Sequence, residues 1–326
     1  MSSQIGDVRA YTFMVQADKA GTRLDVFLAA RSGLSRSHIK KIINDGNTSV
    51  NGTVVQKPSY PVETGDSIEI TIHQEDEPDF LPENIPLDII FQDRHIIVIN
   101  KPAGMVVHPG RGNMRGTLAS ALLYHCKTVK GVGESMRPGI VHRLDKDTSG
   151  LIVAALTHES HAILSRMIHE HEVKKLYTAF VWGHPFPSSG TIDAPMGRHP
   201  RTGTLRAVIE GGKPAVTHYE IIESYEFLSR LVIRLETGRT HQIRVHLAYK
   251  GHPVFGDHMY GGREKLLKGF CPEIREIARN LLKHLDRQAL HAEKLAFNHP
   301  ITGEELSFNA LFPDDLCELM RGLEVR

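Results

Sequence analysis

Asp145 stands in the run His142-Arg143-Leu144-Asp145-Lys146-Asp147-Thr148-Ser149-Gly150, a charged turn that leads straight into the apolar stretch Leu151 to Leu156. A carboxylate in such a place can act as a nucleophile at a sugar carbon or a conjugated ring carbon, provided that it stays ionised in a dry cleft. Desolvation raises the pKa of a carboxyl group and a nearby cation lowers it, so an ionised nucleophile needs a cationic partner. Arg143 is close in sequence, but the better partner is expected from elsewhere. Arg244 lies in the first turn of a helix that follows a glycine turn and is such a candidate, with Arg239 as the alternative. A glycosidase would place two carboxylates across a sugar. The nearby second acid, Asp147, sits in the turn and reads as a surface or capping residue. No phosphate-binding glycine loop, Gly-x-Ser-x-Gly motif or Cys–His nucleophile signature occurs.

These groups need rigid elements to hold them. Leu151 to Leu156 is short, apolar and β-branched, as expected of a core strand. Thr157 is placed to cap a helix reaching about His171, with Ile163, Leu164, Met167 and Ile168 on its buried face. Lys175 to Val181 alternates like a strand and carries Tyr177. The run Gly238-Arg239-Thr240-His241-Gln242-Ile243-Arg244-Val245-His246 leaves a turn and enters a helix, for which Thr240 is the expected cap. Strands and helices from 87 to 326 mix without a regular β-α-β rhythm, which predicts an α+β domain with a mixed, largely antiparallel sheet and flanking helices.

The front of the chain reads as a second, smaller α+β domain over residues 1–72. Leu24, Phe27 and Leu28 share a helix face that Gly33 stops. Ser35 caps a second helix with Ile39, Ile42 and Ile43 on its buried stripe and Arg36, Lys40 and Lys41 on the other side. Val50-Asn51-Gly52-Thr53-Val54 carries a hairpin signal, and Ile68 to Ile72 is an alternating strand. Residues 73–86 are acidic and punctuated by proline, as in a linker.

Composition narrows the classes further. The chain has 326 residues, 40% of them hydrophobic, and a formal net charge of +1, values of a globular protein whose local charge stripes the average conceals. No apolar run is long enough to span a bilayer, and the start lacks the pattern of an export signal, so a cytoplasmic location is expected. Three widely spaced cysteines argue against a disulfide framework or a cysteine zinc site. The twenty histidines include no His-Glu-x-x-His motif, and no metal is expected.

Several motifs occur together in one order: Pro86-Leu87-Asp88-Ile89, Asn100-Lys101-Pro102, Val107-His108-Pro109-Gly110, His142-Arg143-Leu144-Asp145, the run Thr237 to His246, and Leu290-His291-Ala292. In this the chain resembles the RluA-type pseudouridine synthases of large-subunit ribosomal RNA. Arg23-Leu24-Asp25, Ser35-Arg36 and Gly46-x-x-x-Val50-Asn51-Gly52 resemble an S4 RNA-binding domain, which often carries Val where this chain has Thr48. The resemblance implies an isomerisation of uridine that breaks the C1′–N1 bond and rejoins the base through C5, with no cofactor. Its implied target is ribosomal RNA, with the helix 69 stem-loop as the expected site, and its implied state a monomer. It implies Asp145 as nucleophile, or as the group that starts glycal formation, Tyr177 as the aromatic that stacks on the flipped uracil and whose hydroxyl helps to remove the C5 proton, and Arg244 as the partner of Asp145. It further implies that Arg143 fills the space the flipped base vacates. Arg239, Arg36, Lys40 and Lys41 are expected on RNA, and Lys101 and His108 are either RNA contacts or plain loop residues.

Overall fold

The computed structural model describes residues 8–32, 34, 36–73, 81–110, 113–134 and 137–324. They fall into two compact units: residues up to 81 with 133–138, and 82–132 with 139–326. The short hairpin at 133–138 thus groups with the first unit, although it lies inside the stretch expected to be one domain from 87 onward. The positions of Gly33 and Ser35, expected to end and to cap helices, lie outside the described residues, as do 74–80 of the expected linker. The rest of that linker is no free spacer. The Glu83 amide donates to Ser120 O at 3.0 Å, and its carboxylate accepts from the Gly116 amide at 3.0 Å.

In the first unit, the helices Leu24–Ser32 and Arg36–Asn44 cover one face of a four-stranded antiparallel sheet. Its strand order is Val8–Met14, Ser67–His73, Thr48–Val50 and Thr53–Val54. Leu24, Phe27 and Leu28 from the first helix and Ile39, Ile42 and Ile43 from the second close the core together with Val50, Ile68 and Ile70. Asn51 and Gly52 connect Val50 to Thr53 with φ of 51° and 79°, the left-handed pair that a two-residue hairpin requires. Asn51 also donates to Asp66 Oδ1 at 2.8 Å and accepts from the Ser67 amide at 2.9 Å, which pins the hairpin to the next strand.

The second unit is built on a nine-stranded sheet. The order is Ser189–Asp193, Val216–Ser224, Leu228–Leu235, Lys174–Trp182, Leu290–Asn298, Ser149–Ala155, Ile96–Lys101 and Ile89–Gln92, with Glu305–Asn309 pairing beside Leu290–Asn298. All neighbours are antiparallel except Ser149–Ala155 against Leu290–Asn298, so the largely antiparallel sheet expected from the sequence is what forms. Ser149–Ala155 is buried at every position, which explains why it reads as an unbroken apolar run. Gly150, with φ of 113°, is required where it opens this strand: a Cβ there would lie 2.3 Å from Ala292 O. His158–His169 is capped by Thr157, whose hydroxyl accepts from the Ser160 amide, but only Leu164 and Met167 of its expected apolar face are buried. Ile163 and Ile168 are half-buried. Among the described residues no helix is long and apolar enough to cross a membrane.

Thr48, the departure from the S4 pattern, is 2% exposed, and its Oγ1 has no hydrogen-bond partner. Thr48→Val should therefore stabilise the first unit by about 1 kcal/mol. Hydrogen exchange is the measurement: the Ile68 and Ile70 amides should gain about fivefold protection, and unchanged or lower protection would contradict the account.

Candidate active site

A cleft of ≈ 460 Å³ opens in the second unit between the turn 141–148, the end of His158–His169, the start of Lys174–Trp182 and the segment 235–244. The turn that carries Asp145 is fastened residue by residue. The Thr148 amide donates to Asp145 O at 3.1 Å. Lys101 Nζ donates to Lys146 O at 3.1 Å, and Arg287 Nη1 to Asp147 O at 3.3 Å. Gln288 Nε2 donates to Thr148 Oγ1 at 3.2 Å, and Ser149 Oγ meets His291 Nδ1 at 2.9 Å. Leu144 is buried between these points. The backbone of the turn therefore has little freedom left, which holds the Asp145 carboxylate in one place.

Asp145 Oδ2 accepts from Arg244 Nη1 at 3.0 Å. The pairing expected from the sequence forms across 99 residues, and it is Arg244 rather than Arg239 that makes it. The same guanidinium grips Asp257 with its other edge, Nε to Oδ2 at 2.6 Å and Nη2 to Oδ1 at 2.9 Å. Asp257, fully buried, also accepts the amides of Met259 and Tyr260 at 2.9 and 3.1 Å. Burial by itself would lower the Arg244 pKa, but hydrogen bonding and charge from Asp257 and then Asp145 outweigh it and hold the cation firmly protonated. Its Cζ lies 5.0 Å from the centre of the Tyr260 ring, so an aromatic face covers the remaining side.

The helix that brings Arg244 here is Gln242–Tyr249, and Thr240 is not its cap. The N-cap is His241, in the left-handed conformation with φ of 59°. Instead of a capping hydroxyl, the Gln242 side chain ties the turn together, accepting from Thr237 Oγ1 at 2.8 Å and from the Arg239 amide at 3.0 Å. The sharp entry turns the His241 ring into the cleft, with Nε2 4.0 Å from Asp145 Oδ1 and Nδ1 2.8 Å from the Tyr260 hydroxyl. That hydroxyl also accepts the Arg206 amide at 3.1 Å, which fixes its place against the imidazole. Burial lowers the His241 pKa, with Asp145 opposing and Arg244 assisting.

Tyr177 is 6% exposed on the central strand and lines the cleft. Burial first, then the charge of Asp145, raises its pKa, so it stands there as a neutral phenol. Arg143 and Arg239 are exposed and also line the cleft, with Arg239 Nε donating to Pro214 O at 3.1 Å. In the first unit, Arg36 Nε and Lys40 Nζ lie 3.0 and 3.7 Å from the buried Asp25 carboxylate, and Lys41 is exposed. About half of the Arg36 and Lys40 side chains still faces solvent (50% and 45%), so tethered to Asp25 they remain available to a ligand. His108 is half-buried.

Lys101 requires a correction. It is 0% exposed, and its ammonium donates to Pro102 O, Met105 O and Lys146 O at 2.8, 2.9 and 3.1 Å, so it serves the turn's backbone and not RNA. Sequence reasoning assigned no role to His241, Asp257, Tyr260 or Lys175. His241 lies within a motif already singled out, whereas Asp257 and Tyr260 reach the site only through folding. Among the described residues no group of three or more His, Cys, Asp or Glu side chains is arranged to hold a metal ion.

The family model for RNA pseudouridylate synthase matches residues 95–249 and that for the S4 domain residues 22–68. The chain is 45% identical over 313 residues to ribosomal large subunit pseudouridine synthase D of Vibrio vulnificus, covering 96% of this chain and 94% of that one. It is 46% identical over 310 residues to the protein of the same name from Escherichia coli strain K12, covering 95% and 93%. Among solved structures, human RNA pseudouridylate synthase domain containing 4 superposes with a TM-score of 0.55 at 26% identity, over 72% of this chain and 92% of that one.

Two outcomes follow. Asp257→Asn loosens the grip on Arg244 and should lower turnover about 100-fold while leaving RNA affinity unchanged, since a misplacement near 1 Å has that effect; equal turnover would remove Asp257 from the machinery. Burial brings the Lys101 pKa from 10.5 down to about 7, with Asp147 and Asp145 opposing. The unfolded chain therefore binds the extra proton between those values, and the Lys101 contribution to unfolding free energy rises with pH across that window. Urea unfolding from about pH 7 to about pH 10 should show this rise in the wild type and a flatter profile in Lys101→Met.

Proposed function

The chain belongs to the RNA pseudouridylate synthase family, and from that premise we propose that it converts uridine to pseudouridine in large-subunit ribosomal RNA, at the helix 69 stem-loop, with Asp145 as the nucleophile. The observation that carries the reading is the Asp145–Arg244 pair lining a cleft large enough for one nucleotide, with buried Asp257 holding the other edge of the guanidinium. The name shared by the relatives supports ribosomal RNA as the substrate.

The target uridine leaves its stack, at a cost of a few kcal/mol. Exposed Arg143 at the cleft stands ready to occupy the vacated space and to stack there. Tyr177 offers its ring to the flipped uracil, worth roughly 1–3 kcal/mol. As a neutral phenol it serves as a platform and not as a phenolate base in the resting enzyme. Asp145 attacks C1′, or removes the C2′ proton to give the glycal, and the C1′–N1 electron pair leaves with the base. The base turns and C5 bonds to C1′; on the first route this expels the Asp145 carboxylate from C1′, and on the second Asp145 returns its proton to C2′. The C5 proton is then lost and N1 takes one up. Atoms and electrons balance as an isomerisation, and no cofactor takes part. The first unit adds phosphate contacts through Arg36, Lys40 and Lys41, and Arg239 and His108 add contacts on the second; the protein acts as a monomer.

The decisive experiment uses ribosomal RNA tritiated at uracil C5. Wild-type protein should release tritium from a fragment containing helix 69, and Asp145→Asn should release none. No release by wild type from any large-subunit fragment would end this reading, and an equally active Asp145→Asn would remove the nucleophile assignment. Replacing Arg36, Lys40 and Lys41 by Met should reduce the salt dependence of RNA binding by about one unit of slope per phosphate that these side chains neutralise. An unchanged slope would take that helix out of the interface.

A further inference from the structure

Lys175 is a charge in the cleft that the ion-pair network does not use. It lies two residues before Tyr177 on the strand Lys174–Trp182, so both side chains project from one face, and both line the cleft. It is half-buried, and burial lowers its pKa to about 8, with no neighbouring charge to offset the effect. The carboxylates that line the cleft are engaged elsewhere, Asp145 by Arg244 at 3.0 Å and Glu236 by His218 at 2.6 Å. Among the described residues its ammonium has neither an ion-pair partner nor a hydrogen-bond acceptor. The group it acts on is His142, whose pKa is lowered by burial and further by Lys175.

A desolvated, unpartnered ammonium is unfavourable in a folded protein. Lys101 in the same unit shows what a structural buried lysine looks like, with three carbonyl oxygens around Nζ. Lys175 lacks such a cage and faces a cleft that admits a polyanion. We propose that Lys175 is a substrate-contacting residue whose ammonium takes an anionic oxygen of the nucleotide seated in the cleft. The inference rests on the pseudouridine synthase reading. Two oxygens offer that chemistry. One is a backbone phosphate, charged from the outset. The other belongs to the uracil, which receives the electron pair when C1′–N1 opens. Two residues of strand span about 6–7 Å, which suits a base stacked on Tyr177 with either oxygen beyond it.

Lys175→Met keeps the length of the side chain and removes the charge. It should fold with a melting temperature equal to or above that of the wild type, because an unpaired half-buried charge is gone. With the tritiated helix 69 fragment, at least about a tenfold loss of binding and a salt slope lower by about one identify the phosphate. A fall in kcat of at least about tenfold with unchanged binding identifies the uracil oxygen, since that charge grows only toward the transition state. Lys175→Arg should recover part of either loss. Unchanged kcat, KM and binding with an active wild type would overturn the inference alone, as would a loss of activity that tracks a lowered melting temperature. A wild type that releases no tritium overturns the parent reading and this inference with it.

Discussion

The guanidinium of Arg244, held between Asp145 and Asp257, is the constraint on which the rest of the second unit depends. A buried arginine with a single carboxylate gains little in free energy, because the desolvation of two ions rivals their attraction. Here the second carboxylate, itself fixed by two backbone amides, makes the cation's position independent of Asp145. Asp257 fixes Arg244, and Arg244 presents a single N–H to Asp145. Such an arrangement is set before the substrate arrives, so no reorganisation is needed during the reaction.

The neighbouring elements serve this geometry. Helix Gln242–Tyr249 is entered through His241 in the left-handed region, and that entry carries the His241 ring into the cleft. The turn holding Asp145 is secured by two buried basic side chains, Lys101 and Arg287, which donate to consecutive carbonyls at Lys146 and Asp147. Arg287 is in turn paired with Asp315 on the C-terminal helix Asp314–Glu324, at 2.5 and 2.8 Å. Distant parts of the chain thereby support one short loop. Gly150 lets the strand that follows the turn pass against Ala292 without a side chain in the way.

The first unit uses the same device for a different end. Asp25 is buried beneath Arg23, Arg36 and Lys40, and the ion pairs arrange cations that keep about half their surface in solvent. A carboxylate underneath orders long side chains that would otherwise lose rotamer entropy on meeting a ligand. In both units, then, a buried acid positions a basic group for work.

Much of this was legible in the sequence. The apolar periods of Leu24, Phe27 and Leu28 and of Ile39, Ile42 and Ile43, the Asn51-Gly52 turn, the all-apolar strand after Gly150 and the Thr157 cap are local signals, set by backbone sterics and burial within a few residues. The motif order marked Asp145, Tyr177 and Arg244 as candidates. Folding alone decided which arginine meets Asp145, because 99 residues separate the pair and two arginines share one motif. It also placed Lys101 inside, since a lysine's sequence neighbours do not reveal whether three carbonyls await it. His241 as the helix entry in place of Thr240, Asp257 behind Arg244, and Lys175 without a partner were decided there too. The sequence by itself determined the elements and the types of reactive group, because those depend on short-range periodicity and chemistry. Tertiary structure decided which charges are paired and which are left for a ligand, because pairing depends on distances and burial that exist only once remote segments share one interior.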